Sequence, residues 1–275
     1  FLIHGNSTTI HENIIIKKPT KFDEINFQKK EYLESVNQII NYCNEGVLEK
    51  CILSRVINQE FKNENYYTTF EKLCEKYDQG FKYILNHPKL GMWIGVSPET
   101  LISGNTIEGF YTQALAGSMS IQNNLKWTPK ELEEHQYVVD FIKEKISQNG
   151  HINFESKTHN KTAGAVKHLN KYFKFSLKID YFSFIESFHP TPAIAGIPLN
   201  KSLEFIHANE PHERSLYCGY IGLVDQNSCD LYVNLRCARI SDQDLQIFVG
   251  GGITNKSIAE KEYFETKIKS QTLLS

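Results

Sequence analysis

The chain has 275 residues, 40% of them hydrophobic and 12% aromatic, enough to bury a sizeable core without disulfide or metal staples. A formal net charge of −2 with no long run of one sign argues against a nucleic-acid partner. No apolar run is long enough to span a membrane, no signal peptide is seen, and the six cysteines form no C-x-x-C pair or zinc spacing. A cytoplasmic chain with reduced thiols is therefore expected.

Phe1-Leu2-Ile3 enters in mid-pattern, which suggests an excerpt of a longer protein. Residues up to about Asn26 are mixed and polar. From Phe27 onward Tyr32, Val36, Ile39, Ile40 and Cys43 recur at threes and fours, predicting a helix that stops at Asn44-Glu45-Gly46. Lys50 to Ile57 is a short apolar run rich in β-branched residues and reads as a strand. Lys50 and Arg55 bracket it, in the manner of simple edge charges. A helix around Phe70 to Tyr77 and strands at Lys82–Leu85, Met92–Val96 and Thr100–Ser103 follow. Glu99, in Ser97-Pro98-Glu99, sits between two strands, where a lone carboxylate is normally solvated. Thr106 to Leu115 alternates like a strand and runs into a small-residue loop, Ala116-Gly117-Ser118.

Thr128-Pro129-Lys130-Glu131 combines an N-cap, a proline at the first helical position and a capping-box glutamate. The helix runs to Asn149-Gly150. Glu134 lies one turn before Val138 and so joins the inward face. A carboxylate there needs a partner, which a metal or a salt bridge would supply equally well. Strands at Ile152–Lys157 and Val166–Ile179 precede a short helix at Tyr181–Phe188. His189-Pro190-Thr191-Pro192-Ala193 then forms a rigid, extended loop carrying a histidine. Lys201–Asn209 reads as a helix and Leu216–Val224 as a strand with close packing at Gly219 and Gly222.

The last third concentrates the chemistry. Arg236 lies in an alternating segment, Leu231–Ile240, that predicts one strand. Leu245–Val249 ends in Gly250-Gly251-Gly252, read as a turn whose N–H groups could face an anion. Ser257 and Glu260 form a capping box, and Glu262, Glu265 and Lys269 project from one face of the helix that follows. Taken singly, the glycines read as a tight connection and the charges as a solvated face. Together they suggest a site for a metal and a carboxylate-bearing ligand. No G-x-G-x-x-G or G-x-x-x-x-G-K-[ST] pattern exists, so a nucleotide site is rejected. With no repeat and no linker, one α+β unit over residues 1–275 is expected, with a large, mostly antiparallel sheet system and flanking helices.

Ordered matches from about Glu45 to Leu274 resemble the chorismate-utilising enzymes. They are Lys50–Arg55 (KCILSR), Ser97–Glu99 (SPE), Ala114–Ser118 (ALAGS), Glu134-His135, His189–Ala193 (HPTPA), Gly196 with Pro198, Glu210 and Arg214, and Tyr217–Gly219 with Gly222. Arg236, Gly250–Ile253 (GGGI) and the E-x-x-E-T-x-x-K pattern of Glu262, Glu265, Thr266 and Lys269 complete the series. Any one is weak, but in this order they are strong. Members ordinarily carry a further N-terminal segment completing the sheets, so the resemblance implies an N-terminally incomplete fold here.

The resemblance also implies roles. Lys50 matches the lysine that water-adding members use as base, where ammonia-adding members have glutamine. Ala116 stands where aminodeoxychorismate synthases place a nucleophilic lysine, and HPTPA is more similar to isochorismate synthases than to salicylate synthases. Mg²⁺ would be held by Glu134 and Glu265 with Glu262 assisting, an oxygen set that suits this ion. Lys50 would deprotonate a water for attack at ring C2 while Glu99, as general acid, protonates the departing C4 hydroxyl. That requires the lysine pKa to fall by about three units, roughly 4 kcal/mol, and the glutamate pKa to rise. Tyr217, Arg236 and the N–H groups of Gly250, Gly251 and Gly252 would bind the enolpyruvyl carboxylate, with Ser118, His189 and Lys269 as further pocket residues. The implied protein is a monomeric isochorismate synthase acting on chorismate for menaquinone or siderophore synthesis. Salicylate synthase and a non-catalytic chorismate-binding protein are the alternatives.

Overall fold

The computed structural model describes residues 21–274, apart from 24, 26, 62–65, 122–125 and 164–165. The polar stretch before about Asn26 therefore falls almost wholly outside the described residues. In chain order the elements are α1 (Lys29–Asn44), β1 (Lys50–Glu60), α2 (Tyr66–Lys76), β2 (Phe81–His87), β3 (Gly91–Ser97), β4 (Thr100–Asn105), β5 (Gly109–Ser120), α3 (Pro129–Asn149), β6 (Gly150–Glu155) and β7 (His159–Ala163). They continue with β8 (Val166–Leu177), α4 (Tyr181–Phe188), β9 (Gly196–Ile197), α5 (Leu199–Asn209), β10 (Tyr220–Val224), β11 (Ser228–Val233), β12 (Cys237–Ile240), β13 (Asp244–Ile253) and α6 (Ala259–Leu274).

The strands make two sheets in which every pairing is antiparallel. One has the order β2-β3-β12-β13-β1-β9; the other runs β10-β11-β4-β5-β8-β6, with β7 also on β8. The expected α+β architecture is present. Alternation along each strand sends side chains to opposite faces, and the faces share out the core accordingly. Val56, Trp93 and Phe248 of the first sheet meet Leu101, Phe110 and Phe173 of the second in one cluster, so the sheets pack face to face. Ile247 and Val249, neighbours of Phe248, point the other way onto Leu73 of α2 and Leu273 of α6. A third cluster joins α1, β1 and α5 through Tyr32, Val36, Leu53 and Phe205. No helix among the described residues is long and apolar enough to cross a membrane.

Several local expectations need correction. Ala116-Gly117-Ser118 is no loop: it lies within β5, where the register shifts between Ala116 and Ser118 opposite β8 and Gly117 takes φ +68°. Leu231–Ile240 is two strands in different sheets, because Arg236 at φ +49° turns the chain between them. Gly250-Gly251-Gly252 is not a turn either. It continues β13 and pairs with Ser54, Leu53 and Ile52 of β1. Leu216–Cys218 precede β10 rather than belonging to it, and β7 went unseen in the sequence. Ser257 does not cap α6: its hydroxyl accepts from Thr254 N–H at 3.1 Å, and the helix starts at Ala259. The capping box at Thr128 is present as expected, with Glu131 accepting from the Thr128 N–H at 3.0 Å.

Candidate active site

Between the sheets lies a cavity whose wall includes Glu99, Ser118, Glu134, Tyr217, Arg236, Gly250, Gly251, Gly252 and Lys269. Apart from the three glycines, which share β13, each arrives from a different element or link. Glu99 ends the short link from β3 to β4, and its peptide is fixed by Val233 N–H donating to its carbonyl at 2.9 Å. Glu134 projects from the inward stripe of α3 with Val138 and Ile142. Lys269 reaches from α6 to the Gly250 carbonyl at 2.9 Å and Glu265 Oε1 at 2.8 Å. Tyr217 is buried and stacks on Phe248 with ring centres 5.6 Å apart.

The glycines are needed for space. A Cβ on Gly252 would overlap the Glu134 carboxylate and lie 2.8 Å from Lys50 Cε; one on Gly250 would be 2.8 Å from the Tyr217 hydroxyl. The strand's flat face lets two charged side chains and a phenol close on the backbone.

Lys50 lies behind this wall at 0% exposure, so it is no edge charge. Its Nζ stands 3.3 Å from Glu134 Oε1. Burial pulls its pKa down, against the opposing attraction of Glu134. Glu99 shifts the other way: burial raises its carboxyl to about 8, although Lys50, Lys161 and Lys269 pull it down. Glu134 itself is pushed up by burial but drawn further down, to about 2, by Lys130 and Lys50. One wall thus carries a carboxyl held protonated and another held ionised. Beside the ionised one stands a lysine whose charge burial disfavours.

Lys130, absent from the sequence-based site, is the resident cation of the carboxylate group. Its buried Nζ lies 3.1 Å from Glu134 Oε2 and 3.2 Å from Glu262 Oε1. Its i,i+4 spacing to Glu134 was visible in the sequence, but such pairs ordinarily sit in water. Burial raises Glu262 to about 7 against the pull of Lys130. Glu262 Oε2 is buried without a hydrogen-bond partner, and a Cβ added at Gly251 would lie 3.6 Å from it and 3.8 Å from Glu265 Oε1. Among the described residues no three acidic, histidine or cysteine side chains already close around one point. The donor set nonetheless fits a hard divalent ion: three carboxylates, one with an orphaned oxygen, beside a glycine.

A model of chorismate-binding enzymes matches residues 5–275. The chain belongs to the chorismate-binding enzyme family. It is 25% identical to the vibriobactin-specific isochorismate synthase of Vibrio cholerae, over 90% of this chain and 66% of that protein. It is likewise 25% identical to anthranilate synthase component 1 of Aquifex aeolicus, over 95% of this chain and 56% of that one. Its fold is like that of MenF, the menaquinone-specific isochorismate synthase of Escherichia coli, with a TM-score of 0.79 at 22% identity, covering 94% of this chain and 64% of that structure. The chain spans between about half and two thirds of the length of these relatives.

In this member of the family His189 stands outside the cavity wall. Its Nε2–H donates to the Cys218 carbonyl at 2.9 Å and its ring meets Tyr220 edge-on, so it props the segment that carries Tyr217. His168, on β8, is in the wall and was missed, because no local signal marks a histidine whose partners come from other strands. Arg236 Nη2 lies 3.0 Å from His168 Nε2. Burial, aided by the charge of Arg236, holds this histidine well below its usual pKa. The neutral ring must accept from Arg236 at Nε2, so Nδ1 carries the proton and donates to the Gly117 carbonyl at 3.2 Å. Ser118 Oγ also lies 3.2 Å from Nδ1. The bulge in β5 and the guanidinium are thereby linked through one ring.

Proposed function

We propose that the chain is the catalytic part of an isochorismate synthase, converting chorismate to isochorismate by adding water at C2 as the C4 hydroxyl leaves. The observation that carries the reading is the pair of opposite perturbations on and just behind one cavity wall. Lys50 is buried with its charge disfavoured, and Glu99 is buried with its carboxyl raised to about 8. General-base and general-acid roles at neutral pH need this divergence.

In this reading the neutral Lys50 amine takes a proton from water as its oxygen bonds to C2. The ring double bond shifts, the C4–O bond breaks, and Glu99 supplies the proton that lets the hydroxyl depart as water. One water enters and one leaves, and one proton goes from water to Lys50 and one from Glu99 to the leaving oxygen. Arg236, oriented by His168, and Tyr217 hold the enolpyruvyl carboxylate, and Ser118, Lys269 and the N–H groups of Gly250, Gly251 and Gly252 complete the pocket. Glu134, Glu262 and Glu265 are the residues that would hold Mg²⁺, which when bound anchors the ring carboxylate and polarises the ring. Lys50, where an amide would favour ammonia, argues for water as the nucleophile.

The test is chorismate turnover with and without Mg²⁺, with products resolved by chromatography, for the chain and its Lys50→Ala variant. Isochorismate that requires Mg²⁺ and falls by at least about 10²-fold in the variant is the expected result. Salicylate with pyruvate would reassign the product. Anthranilate formed with ammonia and indifferent to Lys50→Ala would overturn the choice of nucleophile.

A further inference from the structure

Glu99 has a cationic neighbour that lies outside the cavity wall. Lys161, half-buried on β7, donates from Nζ to the Pro98 carbonyl at 3.1 Å and to Gln113 Oε1 at 3.0 Å. Gln113, buried on β5, donates from Nε2 to the same carbonyl at 3.0 Å. Three hydrogen bonds therefore close a ring on the peptide immediately before Glu99. Lys161 also lines a second cavity that shares Pro98 and Arg236 with the first, so these two residues form a common wall.

We propose that Lys161 is a positioning residue for Glu99: with Gln113 it fixes the backbone that presents the carboxyl, and its ammonium sets the pH range over which that carboxyl keeps its proton. This rests on reading Glu99 as the acid. The charged and titratable groups that face Glu99 come from four places: Lys50 on β1, Lys269 on α6, Lys161 on β7 and Cys218 before β10. Lys50 is the proposed base and Lys269 is committed to Glu265 and the Gly250 carbonyl. Lys161 is the one of the three cations that can be changed without altering either the base or the wall of the substrate cavity. Its own charge is disfavoured by burial and by Arg236 and supported by Glu99, so the two groups depend on each other.

Glutamate labelled with ¹³C at the side-chain carboxyl makes this measurable without turnover. The Glu99 signal is the one lost in Glu99→Gln. In Lys161→Gln, which keeps a donor but not the charge, the Glu99 midpoint should rise by about one pH unit, and by as much in Lys161→Met. In Lys161→Arg it should stay within about 0.3 unit, because charge and donors are both kept. If Lys161→Met fails to fold, Lys161→Gln carries the result. The alkaline limb of kcat should move up with the midpoint while KM stays unchanged. A midpoint unmoved in the charge-free variants overturns the proposal. Full turnover by Glu99→Gln would instead overturn the acid role, leaving the measured electrostatic link intact.

Discussion

Glu134 shows how much one side chain can hold together. Its two oxygens face two buried lysine nitrogens, Lys50 at 3.3 Å and Lys130 at 3.1 Å. Glu134→Gln would leave Lys130 with one of its two carboxylate partners and Lys50 with none, both in low dielectric, at a cost of about 3–5 kcal/mol. Removing a cation together with the carboxylate should recover part of this, so Lys50→Met/Glu134→Gln should lose less than the two single variants summed. The pH dependence has a definite sign. The folded pKa of Glu134, about 2, is below its unfolded value of 4.5, so its contribution is present above pH 4.5 and drains away as pH falls towards 2. Glu99 is the reverse: its folded pKa of about 8 exceeds 4.5, so it favours the fold below 4.5 and that contribution is lost as pH rises to 8. Melting curves of wild type, Glu134→Gln and Glu99→Gln should therefore differ in shape against pH. The acid-side decline should flatten in Glu134→Gln, and the decline between pH 5 and 8 should flatten in Glu99→Gln. Parallel curves for all three would refute the assigned shifts.

At the scale of elements, β13 ties fold to site because its last positions must carry almost no side chain. Gly250, Gly251 and Gly252 differ sharply in what a methyl group would meet. At Gly252 it would strike Glu134 and Lys50, whereas at Gly251 the nearest atoms are 3.6 and 3.8 Å away. Gly252→Ala should cost about 1–3 kcal/mol through overpacking, and Gly251→Ala no more than about 0.5 kcal/mol. Paired thermal melts decide it, and equal losses would show that backbone freedom, not space, is what glycine supplies here. The sequence disclosed the importance of these glycines but not their conformation. A glycine run ordinarily signals a turn, and only the ten-position pairing of β13 with β1 shows that it is strand. The error at Leu231–Ile240 has the same origin. Hydrophobic alternation continues across Arg236, and alternation cannot register a left-handed backbone on an arginine. The helices were more legible, because α3 and α4 carry their caps and apolar spacing within their own residues. Lys130, His168, Lys161 and Gln113 stayed hidden because their roles depend on partners, several of them dozens of residues away.

For the whole molecule, the consequence is that the cavity exists only when both sheets are assembled. Its residues come from β1, β5, β8, β13, α3, α6, and the links before β4, β9, β10 and β12, and none of these elements can close it alone. The first sheet joins residues 50–60 to residues 244–253, and α1 packs on α6, so the two ends of the described chain lock each other. Trp93 sits at the centre of this arrangement at 0% exposure, stacked on Phe248 with centres 5.2 Å apart, and Phe248 in turn lines the cavity. With only two tryptophans in the chain, Trp127→Phe leaves Trp93 as the single fluorescent reporter of the inter-sheet core. Guanidinium unfolding followed by Trp93 fluorescence and by far-ultraviolet circular dichroism should then give coincident, single transitions. Deleting residues 259–275 should abolish that cooperativity, since it strips Leu273 and Tyr263 from two clusters along with the proposed ion-holding Glu262 and Glu265. A Trp93 transition well separated from the loss of secondary structure would mean that the sheets are independent folding units and the cavity is a joint between them. One shared transition would mean that the interlocked ends and the inter-sheet core form a single cooperative unit, and the opposed pKa shifts of the buried groups Lys50, Glu99 and Glu134 depend on a unit of that kind.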